Sequence, residues 1–126
     1  MADLTRQEIF AECHLCVVKV GTRVLTDESG RLDLHQLHHL VDEISNLHAK
    51  GVQVVLVSSG AVGAGMGCLG LEKRPENVAS LQAVAAVGQS KLMHHYDFAF
   101  QAHHLQTAQV LLLSLIHISE PTRHHV

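Results

Sequence analysis

The sequence predicts a layered α/β fold, and three observations carry that prediction. Two short aliphatic runs, Leu15 to Val20 (LCVVKV) and Val52 to Val57 (VQVVLV), have the length and β-branched content of strands. Between them the apolar residues Leu34, Leu37, Leu40, Val41, Ile44 and Leu47 recur at three- and four-residue steps, the stripe of an amphipathic helix. The 126 residues are 47% hydrophobic but only 3% aromatic, with no Trp, so the core must be built from Val, Leu, Ile and Ala. That mixture suits parallel strands buried beneath helices, and the chain is long enough to bury a real core.

Each element follows from local chemistry. The first strand closes on Gly21, which suggests a tight turn. Asp33 can cap the helix that follows, Gln36 completes a capping-box pattern, and Gly51 supplies a left-handed stop, so the helix should span about Leu34 to Lys50. The second strand is almost wholly apolar, which argues for cover on both faces and for parallel pairing after a helical crossover. Next comes Ser58 to Gly70 (SSGAVGAGMGCLG), where glycines interleaved with small residues let the backbone approach something closely. A second helix follows the Arg74-Pro75-Glu76 turn, with Val78, Leu81, Val84, Ala85, Leu92, Met93, Tyr96 and Phe100 on its apolar face. Gln109 to Leu112 (QVLL) reads as the start of a third strand. The progression is β-α-β-α-β, without internal repeat or linker.

Composition removes several function classes. A formal charge of -3 with scattered Lys and Arg offers no basic stripe for nucleic acid. The opening MADLTRQEIF lacks the pattern of a signal peptide and no apolar run is long enough to span a membrane, which points to a soluble cytoplasmic protein. With 3 Cys, reduced thiols are the expectation; Cys13-His14-Leu15-Cys16 has no second ligand pair to complete a zinc site. His35, His38, His39 and Asp42, drawn from 12 His in all, fall on the exposed side of the first helix. A His-rich metal-binding module is the distant alternative they raise, against a solvated helix face. Gly65 to Gly70 spells G-x-G-x-x-G, but it does not directly follow a strand and lacks the acidic partner downstream, so a dinucleotide site is disfavoured; no Walker A loop is present.

The chemistry concentrates at the two strand ends, beyond which open α/β sheets bind their ligands. The first strand ends Lys19-Val20-Gly21-Thr22, a cation, a bare backbone and a hydroxyl; the second ends Ser58-Ser59-Gly60-Ala61, with amides free to meet an anion if a helix starts there. Two anionic reactants could meet between them.

These residues also carry a resemblance. VVKVGTRVLT (Val17 to Thr26), VVLVSSGAVGAG (Val54 to Gly65) and LQAVAAVGQ (Leu81 to Gln89) resemble, in order and spacing, the successive N-terminal motifs of the glutamate 5-kinases of the amino acid kinase superfamily. The resemblance implies a three-layer α-β-α sandwich with a mainly parallel sheet, here truncated. It implies ATP-dependent phosphorylation of the glutamate side-chain carboxylate, the first step of proline biosynthesis, with ATP and Mg2+, in an enzyme that is a homo-oligomer at full length. Another superfamily member acting on a different small acid is the nearer alternative. Carried over residue by residue, it implies that Lys19 is catalytic and contacts the ATP phosphates, that Gly21 and Thr22 form the phosphate-side turn, and that Ser59, Gly60 and Ala61 bind glutamate. The family's later motifs, which supply an Asp, an Asn, a second Lys and the adenine pocket, have no counterpart here, so the chain alone is expected to be inactive. The tail, Leu113 to Arg123 (LSLIHISEPTR), resembles a translated sequencing-library adaptor. Residues 1–112 are therefore read as the N-terminal part of an amino acid kinase domain and 113–126 as a non-native tail. A sheet cut short in this way should leave an edge and apolar surface uncovered and promote aggregation.

Overall fold

A computed structural model describes residues 2–110 of the chain. Seven elements follow in order: α1 (Ala2–Ala11), β1 (Leu15–Val20), α2 (Thr22–Leu25), α3 (Leu34–Ala49), β2 (Gln53–Ser58), α4 (Ala61–Leu69) and α5 (Val78–Gln101). The foreign tail expected from Leu113 lies outside the described residues. So do Leu111 and Leu112 of the expected third strand; its first two residues, Gln109 and Val110, form no strand.

The βαβ unit is present as expected. β1 and β2 pair in parallel, in register from Leu15 opposite Gln53 to Val20 opposite Ser58, and α3 makes the crossover between them. Asp33 caps α3 by accepting hydrogen bonds from the amides of His35 (3.0 Å) and Gln36 (3.3 Å). The reciprocal half of the capping box is not used, because the Asp33 amide already donates to the Leu25 carbonyl at 2.8 Å. Gly51, at φ +90°, takes the left-handed stop. Asp33→Ala is expected to cost about 1 kcal/mol, read as a lower urea midpoint at unchanged slope.

The core lies on one side of the sheet. Leu25, Leu37, Val41, Leu92 and Tyr96, all almost fully buried, gather with Val20, Ala64 and Phe100, and Val18, Val54 and Leu56 of the sheet pack against them. The opposite face was expected to be covered too, and over the described residues it is not. Val17 is 63% exposed and Val55 49%, with Leu15, Lys19 and Val57 beside them. The physical reason is direct: α3 and α5 both pack over the Val18 face, and strand geometry turns every second side chain away from them.

The Gly-rich segment, expected to approach something closely and given no element of its own, is mostly helix. Glycine disfavours helix by about 1 kcal/mol relative to Ala, which is why the sequence does not read as one. Packing reverses that preference. A Cβ at Gly65 would run into the carbonyl of Val84 on α5, and one at Gly88 into the Ala61 carbonyl and the Gly65 amide. The partner that the glycines admit is therefore α5. Gly70, at φ +67°, ends α4.

α5 is capped by Asn77, whose side chain accepts from the Ser80 amide at 2.7 Å. Val84, Leu92, Tyr96 and Phe100 are buried as expected, but Val78 is 68% exposed, since the first residue of the helix precedes its contact with α4. Gly88 and Ala99 take buried positions that an apolar-stripe reading passes over.

Candidate functional site

Parallel pairing brings the two expected turns side by side at the carboxyl end of the sheet. Ser59 fastens them: its amide (3.1 Å) and its hydroxyl (3.0 Å) both donate to the Val20 carbonyl, the last residue of β1. Ser59 is thus not a helix cap. That place belongs to Gly60, at φ +113°, a left-handed conformation that side chains rarely adopt. The first bond into α4 is the Ala64 amide to the Gly60 carbonyl at 2.9 Å, and among the described residues the amides of Ala61, Val62 and Gly63 have no acceptor. Unpaired amides and the positive end of the helix dipole make this turn receptive to a carboxylate or phosphate.

Across from it, Gly21 was expected in a tight turn. It is extended instead (φ -81°, ψ 168°) and serves as the N-cap of the short helix α2. Nothing lies within 4 Å of where its Cβ would stand, so the backbone is open on that side. Thr22 is exposed; its carbonyl accepts the Thr26 hydroxyl at 2.8 Å, which closes α2. Lys19 is exposed on the open face of the sheet opposite Val57, and no carboxylate pairs with it among the described residues. Lys19, Gly21, Thr22, Ser59, Gly60 and Ala61 therefore share one end of the sheet, with Lys19 on its open face.

Four residues support these turns in ways the sequence did not show: Ser58, Tyr96, Arg31 and Asp27. Ser58, on the helix side, lies 2.6 Å from the Tyr96 hydroxyl and donates to the Ser59 carbonyl at 2.8 Å. Burial pushes the Tyr96 phenol up from the ordinary tyrosine value. Its signal was available: Tyr96 is the chain's only Tyr, and a buried phenol needs a partner. Arg31 reaches the Leu71 carbonyl through Nε (3.4 Å) and Nη2 (3.2 Å), tying the segment after α4 to the turn before α3. Asp27 organises that turn by accepting from the Ser29 hydroxyl (2.6 Å) and the Ser29 and Arg31 amides; the Ser29 hydroxyl is foremost in holding its carboxyl below the usual value.

The remaining sequence candidates fall elsewhere. Cys13, His14 and Cys16 line a concavity of about 350 Å³ with Phe10, Leu47 and Lys50, at the opposite end of the sheet from Gly21 and Ser59. Both thiols are free, and Cys13 donates to the Leu15 carbonyl at 3.3 Å. His35, His38 and His39 are exposed on α3, while Asp42 meets His103 at 2.7 Å. Among the described residues no group of three or more His, Cys, Asp or Glu is placed to hold a metal ion. The G-x-G-x-x-G string lies within α4 and its cap, not in a strand-to-helix turn.

The sequence profile of the amino acid kinase family matches residues 14–125. The chain belongs to the amino acid kinase family. Its α/β class and parallel strands agree with that membership. Among curated relatives, the glutamate 5-kinase of Symbiobacterium thermophilum is 49% identical over 106 residues, 84% of this chain and 40% of the relative. That of Clostridium acetobutylicum is 43% identical over 108 residues, 86% of this chain and 40% of the relative. That of Bifidobacterium adolescentis is 50% identical over 102 residues, 81% of this chain and 27% of the relative. The chain thus spans 40% or less of the length of these relatives. No helix among the described residues is long and apolar enough to cross a membrane.

Proposed function

We propose that this chain is the N-terminal part of a glutamate 5-kinase, which transfers the γ-phosphoryl group of ATP to the side-chain carboxylate of glutamate in the first step of proline biosynthesis. The observation that carries the reading is the shared Val20 carbonyl, through which Ser59 holds the open amides of α4 next to the Gly21 turn. In this assignment Lys19, Gly21 and Thr22 take the ATP phosphates, and Ser59, Gly60 and Ala61 take glutamate. A carboxylate oxygen attacks the γ-phosphorus, the bond to the β,γ-bridging oxygen breaks, and the products are an acyl phosphate and ADP. Such chemistry asks for position and charge neutralisation more than for a protein nucleophile. Lys19 supplies a cation for the charge that builds on the phosphoryl oxygens, and the amides of Ala61, Val62 and Gly63 offset the negative charge of the bound carboxylate. No carboxylate stands in either turn, so these residues offer Mg2+ no anionic ligand.

The same reading makes residues 1–112 the N-terminal part of the kinase domain and 113–126 a foreign tail, in a cytoplasmic, homo-oligomeric enzyme. The relatives' greater length supports an incomplete catalytic site in the 126-residue chain. The test uses the protein expressed from its complete gene, with ATP, Mg2+ and hydroxylamine to trap the acyl phosphate. Glutamate-dependent hydroxamate is the expected product. Turnover with another small acid and none with glutamate would move the protein to a different branch of the family.

A further inference from the structure

The bond between Ser58 and Tyr96 joins the core to the Ser59 turn. The Ser58 hydroxyl has one hydrogen, and its two contacts are satisfied together only when that hydrogen goes to the Ser59 carbonyl at 2.8 Å. The 2.6 Å contact with Tyr96 is therefore made by the phenol hydrogen. The result is a directed chain: the Tyr96 O–H donates to Ser58, Ser58 donates to the Ser59 carbonyl, and the Ser59 hydroxyl donates to Val20. Its outer end is anchored well. Tyr96 is 4% exposed, lies between buried Leu92 and Phe100 on α5, and stacks on the Phe100 ring.

The peptide plane that carries the Ser59 carbonyl also carries the Gly60 amide, so fixing one aims the other. Backbone at a left-handed glycine has little conformational preference of its own, and a core-anchored hydrogen bond supplies the missing constraint. We propose that Tyr96 is a positioning residue for the Ser59-Gly60-Ala61 turn, acting through Ser58. This rests on the reading of that turn as the carboxylate-binding half of the site. A merely structural role would loosen the fold broadly; positioning loosens one turn and weakens one substrate.

The test is Tyr96→Phe in the protein expressed from its complete gene, since Phe keeps the ring and its packing. Two readouts are taken. Hydrogen–deuterium exchange, followed by mass spectrometry on peptides spanning residues 57–66, should accelerate about 5- to 10-fold while peptides of α3 stay as they were, as loss of one buried hydrogen bond predicts. The KM for glutamate should rise by a similar factor, about 5- to 10-fold, with the KM for ATP changed less than about twofold. Ser58→Ala added to Tyr96→Phe should contribute little more, because the two groups act in series. Unchanged exchange at 57–66, equal acceleration across α3, or equal rises in both KM values would each overturn the proposal. A wild-type protein that does not phosphorylate glutamate would defeat the kinase reading, while the exchange measurement would still decide whether Tyr96 orders the turn.

Discussion

Lys19→Ala is expected to remove about 10²- to 10³-fold of kcat in the hydroxamate assay while leaving thermal stability within about 0.5 kcal/mol of wild type. The two halves of that expectation come from different observations. Lys19 is exposed, and among the described residues it takes part in no ion pair, so the fold has little to lose with it. Its place in β1, two residues before the open Gly21 backbone, is where a cation would meet transferred phosphoryl oxygens. Lys19→Arg should recover only part of the activity, because a planar fork cannot replace a compact ammonium at a fixed point. Comparable losses of activity and of melting temperature on Lys19→Ala would show that the side chain serves the sheet and not the reaction.

The largest stability effect should come from a single methyl group. Gly88→Ala places a Cβ against the Ala61 carbonyl and the Gly65 amide, both backbone atoms that no rotamer change can move aside. The axes of α4 and α5 must separate, and the loss should reach about 3 kcal/mol or more, read from urea unfolding. Gly65→Ala meets the Val84 carbonyl and should cost a similar amount; because the two glycines face one another, the double substitution should cost less than the sum. Gly67→Ala is the control. Nothing stands within 4 Å of its Cβ position, so helix propensity alone decides, and it should stabilise by up to about 1 kcal/mol. If Gly88→Ala proved as mild as Gly67→Ala, the close approach of α4 to α5 would be wrong.

Signals that live in one residue's own neighbourhood were legible from sequence. Leu15 to Val20 reads as a strand and is one, and Asp33, the leucine stripe and Gly51 set the bounds of α3 to within a residue. α4 was not legible, since its glycines disfavour helix locally and are explained only by Gly88, a residue on another helix. Val57 shows the complementary failure. An apolar run signals burial on both faces, and nothing local says which residues supply the second cover. That Lys19, Gly21, Ser59 and Gly60 fall at one end of the sheet was legible, because parallel strands after a helical crossover end on the same side. Ser59's actual partner, the Val20 carbonyl, depends on strand register, and Tyr96's on helix packing, so neither could be read along the chain.

The solitary phenol on α5 makes the chain its own optical reporter. With one Tyr and no Trp, near-ultraviolet absorbance of the whole molecule is governed by a single chromophore, and that chromophore is sealed in the core against Ser58. Burial raises its pKa, so it holds its proton above the ordinary value of 10.0 while the chain is folded. The stability linked to that proton is fully present below the ordinary value and is lost as alkali carries the pH through the raised one. In base, the tyrosinate band should therefore emerge together with the opening of α5, and a spectrophotometer alone would follow the core coming apart.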